Sequence, residues 1–146
     1  MAGTWIAVRQ SLPWLTTPPY LVDVSELPRL RSDLRAAGFH VFDAFAAEST
    51  TERSLLLALG DALAFPDYYG ANWAAFEDCV SDLVRESAGP TAVVIVGSDA
   101  LMRADLHAFV RSVHLLLDVV SEVERIGGDF QFEVFFGGSF HASELP

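Results

Sequence analysis

A single cysteine, Cys79, excludes a disulfide within the chain and makes a reducing compartment the simpler expectation. Lysine is absent: all 9 basic residues are arginine, set against 20 acidic ones, for a formal net charge of -11. A body this negative repels nucleic acid and anionic membrane and attracts cationic proteins at long range. By composition alone, surplus carboxylates that merely keep the chain soluble are the more economical account. No apolar run is long enough to span a membrane, and residues 1–15 lack the basic start and uninterrupted apolar core of a secretory leader, so cytoplasmic residence is expected. A glycine-rich phosphate loop and a serine nucleophile motif are missing too, and His40, His107, His114 and His141 show no metal-ligand spacing with Cys79. No cofactor or metal is therefore expected. Repeats and low-complexity segments are also lacking.

What the chain does have is apolar material. Hydrophobic residues make up 51% and aromatics 12% of 146 residues, enough for a full core of ordinary domain size without metal or disulfide support. Residues 5–9 suggest a short strand, and Pro13, Pro18 and Pro19 make residues 10–19 an irregular connection. Residues 20–24 read as a strand, followed by a helix capped by Ser25 and ended by Gly38. A strand over 40–45 comes next, so strand, helix and strand imply a parallel crossover. Ser49 and Glu52 fit a capping box that opens a helix to about residue 64, with Leu55, Leu56, Leu59, Ala62 and Leu63 as its buried stripe. The continuous apolar run over 91–97 predicts a strand covered on both faces. A long helix is expected over 104–126, stopped by Gly127 and Gly128, before a last strand whose alternation of Phe130, Phe132, Val134 and Phe136 with Gln131 and Glu133 suggests one partly exposed side. Residues 137–146 look like a loose tail. The alternation of strands and helices predicts an α/β fold with a small, mainly parallel sheet.

The most informative stretch is Phe65-Pro66-Asp67-Tyr68-Tyr69-Gly70-Ala71-Asn72-Trp73 and the residues after it. Pro66 ends the preceding helix, Gly70 permits a sharp turn, and Asn72 can cap a new helix. Trp73, Phe76, Val80 and Leu83 recur at helical spacing and form its buried stripe, with Cys79 beside them as inert packing. Ala74, Asp78 and Asp82 line the opposite face. Two carboxylates four residues apart repel at a cost of about 0.2–0.5 kcal/mol. Of the paired tyrosines, one can pack inward while the other faces out.

This run, through Ala74-Ala75-Phe76-Glu77-Asp78-Cys79, resembles the signature of the barstar family, intracellular inhibitors of barnase-like ribonucleases. The resemblance extends over about residues 39–136 and implies a barstar-like three-layer fold at 39–146, with residues 1–38 as an N-terminal extension that adds a strand and a helix. It also implies a binding protein without catalysis: the loop and following helix plug the ribonuclease active site, and carboxylates occupy the places of RNA phosphates. By the resemblance Tyr68, Gly70 and Asn72 contact the enzyme, Asp78 enters its phosphate pocket, and Glu122 is a second contacting acid. Tyr69, Trp73, Ala74, Glu77 and Asp82 complete the expected contact surface. The implied partner is a basic ribonuclease or another cationic toxin, bound by a chain that is monomeric when free and engages neither nucleic acid nor membrane. Ala74 departs from the family, which commonly places aspartate there, and so removes one acid. Two other readings stand beside this one. A barstar-like module can have changed targets, or Asp78 or Asp82 can work with Glu122 as an acid/base pair of the glycosidase kind.

Overall fold

The structure, a computed structural model, describes residues 5–87 and 89–140. In chain order it contains a one-turn helix α1 (Val8–Ser11), strand β1 (Tyr20–Asp23), a 3-10 turn (Val24–Glu26), helix α2 (Leu27–Ala37), strand β2 (His40–Phe45), helix α3 (Glu52–Ala62) and helix α4 (Trp73–Glu86). Strand β3 (Thr91–Val96), helix α5 (Asp99–Ala104), helix α6 (Leu106–Arg125) and strand β4 (Phe132–Gly138) follow. The strands pair in one all-parallel sheet, in the order β1-β4-β3-β2. Parallel strands need crossovers, and the crossovers here lay helices on both faces. Alternate residues of β3 then enter different cores. Val93 and Ile95 join Phe76, Leu116, Phe132 and Phe136 beneath α3, α4 and α6, while Ala92 and Val94 join Leu30, Leu34 and Phe135 beneath α1 and α2. The fold is α/β, with three layers: the sheet lies between two sets of helices.

Several sequence expectations shift in detail, each for a local reason. Residues 5–9 form no strand and lead into α1. The 3-10 turn before α2 is capped by Asp23, whose carboxylate accepts from the Ser25 amide at 3.0 Å, so Ser25 is not the cap. Gly38 does end α2, at φ 113, a left-handed angle that glycine adopts without a Cβ clash. The capping box of α3 is built two residues later than expected: Thr51 Oγ1 accepts from the Ser54 amide at 3.1 Å, and Ser54 Oγ accepts from the Thr51 amide at 3.0 Å. Glu52 is thereby freed for another task. The expected long helix over 104–126 is present as α6, capped by Asp105, which accepts from the Ala108 amide at 3.0 Å; the short helix α5 ahead of it is an addition. Within α6 Leu106 and Val110 are exposed, whereas Val119 and Ser112 are buried.

The largest difference concerns the last strand. It continues through Gly137 and Gly138, which were expected in a tail, and every residue of β4 is buried. β4 is interior: β3 pairs along one edge, and β1 pairs with Phe135 to Gly138 on the other. The remaining stretch of that outer edge faces the N-terminal segment. There the Gln131 carboxamide takes the place of a strand, accepting from the Ile6 amide at 2.9 Å and donating to the Ile6 carbonyl at 2.8 Å. Polar residues at 131 and 133 therefore mark an internal clamp, where alternation had suggested a solvent-facing side. The rest of the expected tail, residues 141–146, lies outside the described residues.

Candidate protein-binding surface

The signature loop is held from beneath by Tyr69. Its ring packs edge-on to Phe65 with centroids 5.0 Å apart, and its hydroxyl donates to the Leu56 carbonyl of α3 at 2.9 Å. Burial pushes the Tyr69 phenol pKa well up, an effect reinforced by Cys79 and opposed by Arg53, so it stays a neutral donor. The ring lies so close to α3 that a Cβ on Gly60 would stand 2.5 Å from Tyr69 Cε2. Only glycine allows that approach, although a glycine inside a helix costs roughly 0.5–1 kcal/mol relative to alanine. Tyr68 points the other way and is 79% exposed. Ala71 completes the turn at φ 51, a left-handed angle that disfavours a side chain, while its methyl group is buried. Asn72 then caps α4 by accepting from the Ala75 amide at 2.9 Å.

Helix α4 buries Phe76, Cys79, Val80 and Val84. Phe76 sits at the centre of an aromatic group, 5.6 Å from Phe65, 5.7 Å from Trp73 and 6.4 Å from Phe132 by ring centroids. Burying an aromatic of this size contributes about 1.5–3 kcal/mol. Trp73 is half-buried, and its indole N–H donates to Glu52. The other oxygen of Glu52 accepts from Arg111 of α6 at 2.9 Å. One carboxylate at the start of α3 thus joins three helices, where the helix dipole also favours negative charge. Cys79 is buried, and its thiol pKa is raised by burial and then by Asp82 and Asp78, which leaves it unreactive.

The outer face of α4 exposes Ala74, Asp78 and Asp82, with Glu77 half-buried at its border. Neither Asp78 nor Asp82 has a basic partner among the described residues. Two grooves flank this ridge. One, of about 470 Å³ between α4 and α6, is lined by Trp73, Ala74 and Glu77 and, across from them, by Asp118, Glu122 and Arg125. The other, of about 300 Å³ between the loop and α4, is lined by Phe65, Tyr68, Cys79, Asp82 and Glu86. Asp78 lines neither and stands between them. Glu122 is half-buried and paired with Arg125 one turn on.

Of the residues singled out from the sequence, Tyr68, Gly70, Asn72, Ala74, Asp78 and Asp82 are exposed on the loop and the outer face of α4. Tyr69 and Trp73 face the protein and support that surface. Glu122 and Asp82 line grooves on opposite flanks of α4, which is unfavourable for an acid/base pair built from those two. Among the described residues no group of three histidine, cysteine or acidic side chains is placed to hold a metal ion, and no helix is long and apolar enough to cross a membrane. His114 lies 3.5 Å from Asp118, His40 and His107 join no functional cluster, and His141 is outside the described residues. Sequence reasoning missed Asp118, one turn before Glu122 on the same side of α6; that spacing was the available signal. It also missed Gly60 and Glu52, whose partners are distant in the chain.

The chain has no match among curated proteins. A family model described as Barstar (barnase inhibitor) matches residues 39–135, which takes in β2, the signature loop, α4, β3, α6 and the first half of β4. Covering most of the chain and joined to this loop and sheet, that match places the protein in the barstar family.

Proposed function

We propose that this protein is a cytoplasmic immunity-type inhibitor that binds a basic, barnase-like ribonuclease and covers its active site with the loop over 65–72 and the outer face of α4. The observation that carries this reading is the pair of exposed aspartates, Asp78 and Asp82, which lack a basic partner among the described residues and stand beside the exposed Tyr68 on a loop fixed by Tyr69. A ribonuclease gathers arginine and lysine around the scissile phosphate. A carboxylate set into that pocket makes charge-assisted hydrogen bonds shielded from water. Asp78, at the crest of the ridge, is the central anchor in this scheme. Tyr68, Gly70 and Asn72 supply loop contacts, and Glu77, Asp82 and Glu122 widen the negative field around it. The net charge of -11 speeds encounter with a cationic partner. No bond is made or broken, and inhibition rests on occupancy.

The test is RNA cleavage by a ribonuclease encoded beside this gene, measured with the parent and with Asp78→Ala. The parent abolishes cleavage and the variant protects at least tenfold less well; equal protection by both removes Asp78 from the mechanism. Ala74 supports one alternative, a barstar-like module whose target is a non-ribonuclease toxin or another basic protein, because it takes an acid out of the contact surface. Affinity capture from the native host and identification of the bound protein separates the two.

A further inference from the structure

A separate recess lies where the N-terminal segment crosses the outer edge of β4. Its volume is about 350 Å³, with Trp5, Val8, Leu117 and Val120 among its apolar walls and Tyr20 and Glu133 among its polar lining. Glu133 is only 8% exposed and Tyr20 only 7%. Glu133 Oε2 accepts from Gln131 Nε2 at 3.0 Å, and Gln131 is itself fixed by its clamp on Ile6. Glu133 Oε1 and the Tyr20 hydroxyl have no hydrogen-bond partner among the described residues. Both atoms are open to the recess rather than sealed in the core, and the largely buried carboxylate has no basic side chain lining its pocket to offset its desolvation. Of the charged groups around it, Glu124 of α6 also lines the recess and adds negative charge. Arg9 of α1 acts on Tyr20 but does not line the recess.

We propose that this recess binds a small primary organic ammonium ion with an apolar body, the ammonium donating to Glu133 Oε1 and the Tyr20 hydroxyl while the hydrocarbon packs on Trp5, Val8, Leu117 and Val120. Three donors on one nitrogen suit a carboxylate, a phenol and water at the mouth. An anion meets two carboxylates there and no lining cation, and a neutral alcohol leaves the carboxylate without a counter-charge. Of α6, the recess takes Leu117, Val120 and Glu124, whereas the groove beside α4 takes Asp118, Glu122 and Arg125; only Ser121 lines both.

Calorimetric titration of the whole chain with n-hexylammonium, n-hexanol and hexanoate at pH 8, with the Trp5 indole followed by NMR, tests the proposal. Hexylammonium should bind at least tenfold tighter than hexanol and shift the Trp5 resonance, and hexanoate should not bind. Glu133→Gln should erase the preference for the amine over the alcohol, and Trp5→Ala should weaken both together. Lowering the pH to 5.5 should weaken the amine roughly thirtyfold, because the Glu133 carboxyl, raised to about 7 by burial, then carries a proton. Equal affinity for amine and alcohol, no binding of hexylammonium at millimolar concentration, a preference that survives Glu133→Gln, or an unchanged affinity in Trp5→Ala overturns it.

Discussion

Replacing Glu133 by glutamine should make the protein more stable at neutral pH, the reverse of what removing a buried hydrogen-bonded group usually does. Burial raises the Glu133 carboxyl from 4.5 to about 7, the hydrogen bond from Gln131 opposing this and the nearby Glu124 adding to it. A folded-state pKa above the unfolded value means that between 4.5 and about 7 the folded chain holds a proton that the unfolded chain releases. Stability from this carboxyl is therefore complete below pH 4.5 and lost as pH rises through about 7. The shift amounts to roughly 3 kcal/mol in full, of which roughly 2 kcal/mol falls between pH 5.5 and 8. Glutamine keeps the shape and an acceptor for Gln131 but has no charge to desolvate. Urea unfolding followed by tryptophan fluorescence at pH 5.5 and 8 checks this: the variant should gain on the parent by roughly 2 kcal/mol between the two pH values. If parent and variant keep a constant difference within about 0.5 kcal/mol, burial is not raising this carboxyl and the reasoning fails.

Gly60→Ala should destabilise the protein by about 1–3 kcal/mol, because Tyr69 must leave its seat, despite the 0.5–1 kcal/mol that alanine ordinarily adds to a helix; thermal melting reads the sign, and stabilisation refutes the anchor. Asp78→Ala should raise the Kd for the cognate ribonuclease by roughly ten- to hundredfold, the range for a charged hydrogen bond of about 1.5–3 kcal/mol, with folding unchanged by circular dichroism. Glu52→Gln should cost roughly 1 kcal/mol in chemical unfolding, a modest figure because Arg111 is solvent-exposed and screened. Raising the salt from 0.02 to 0.5 M should slow association with a basic target by about tenfold or more while changing dissociation far less, as stopped-flow kinetics would show.

Local chemistry made much of the fold legible. The β-branched run at 91–96, the Asn72 cap and the stop at Gly38 each act within a few residues, and each element stands where those residues put it. Legibility failed where a distant partner decides. Gln131 and Glu133 alternate with phenylalanines as a half-exposed strand would, and only the arrival of Ile6 and β1 at that edge makes them internal. Helix α5, at 6 residues, is too short to show a helical period and was not legible, whereas α6 stands where its apolar phase put it. In the loop, the sequence could divide the two tyrosines into one inward and one outward. Choosing Tyr69 for the inside needed Gly60 and the Leu56 carbonyl, both on a neighbouring helix.

Strand order has a consequence for how the protein is made. β4 is the last of the four strands to leave the ribosome, yet it occupies the slot between the first and the third. Until it arrives, β1 has no neighbour to pair with, and β3 presents an open apolar flank. Completion of the sheet must therefore wait for β4, and the nascent polypeptide passes through a period of exposed strand edges in which chaperones, or an early encounter with its target, can decide its yield.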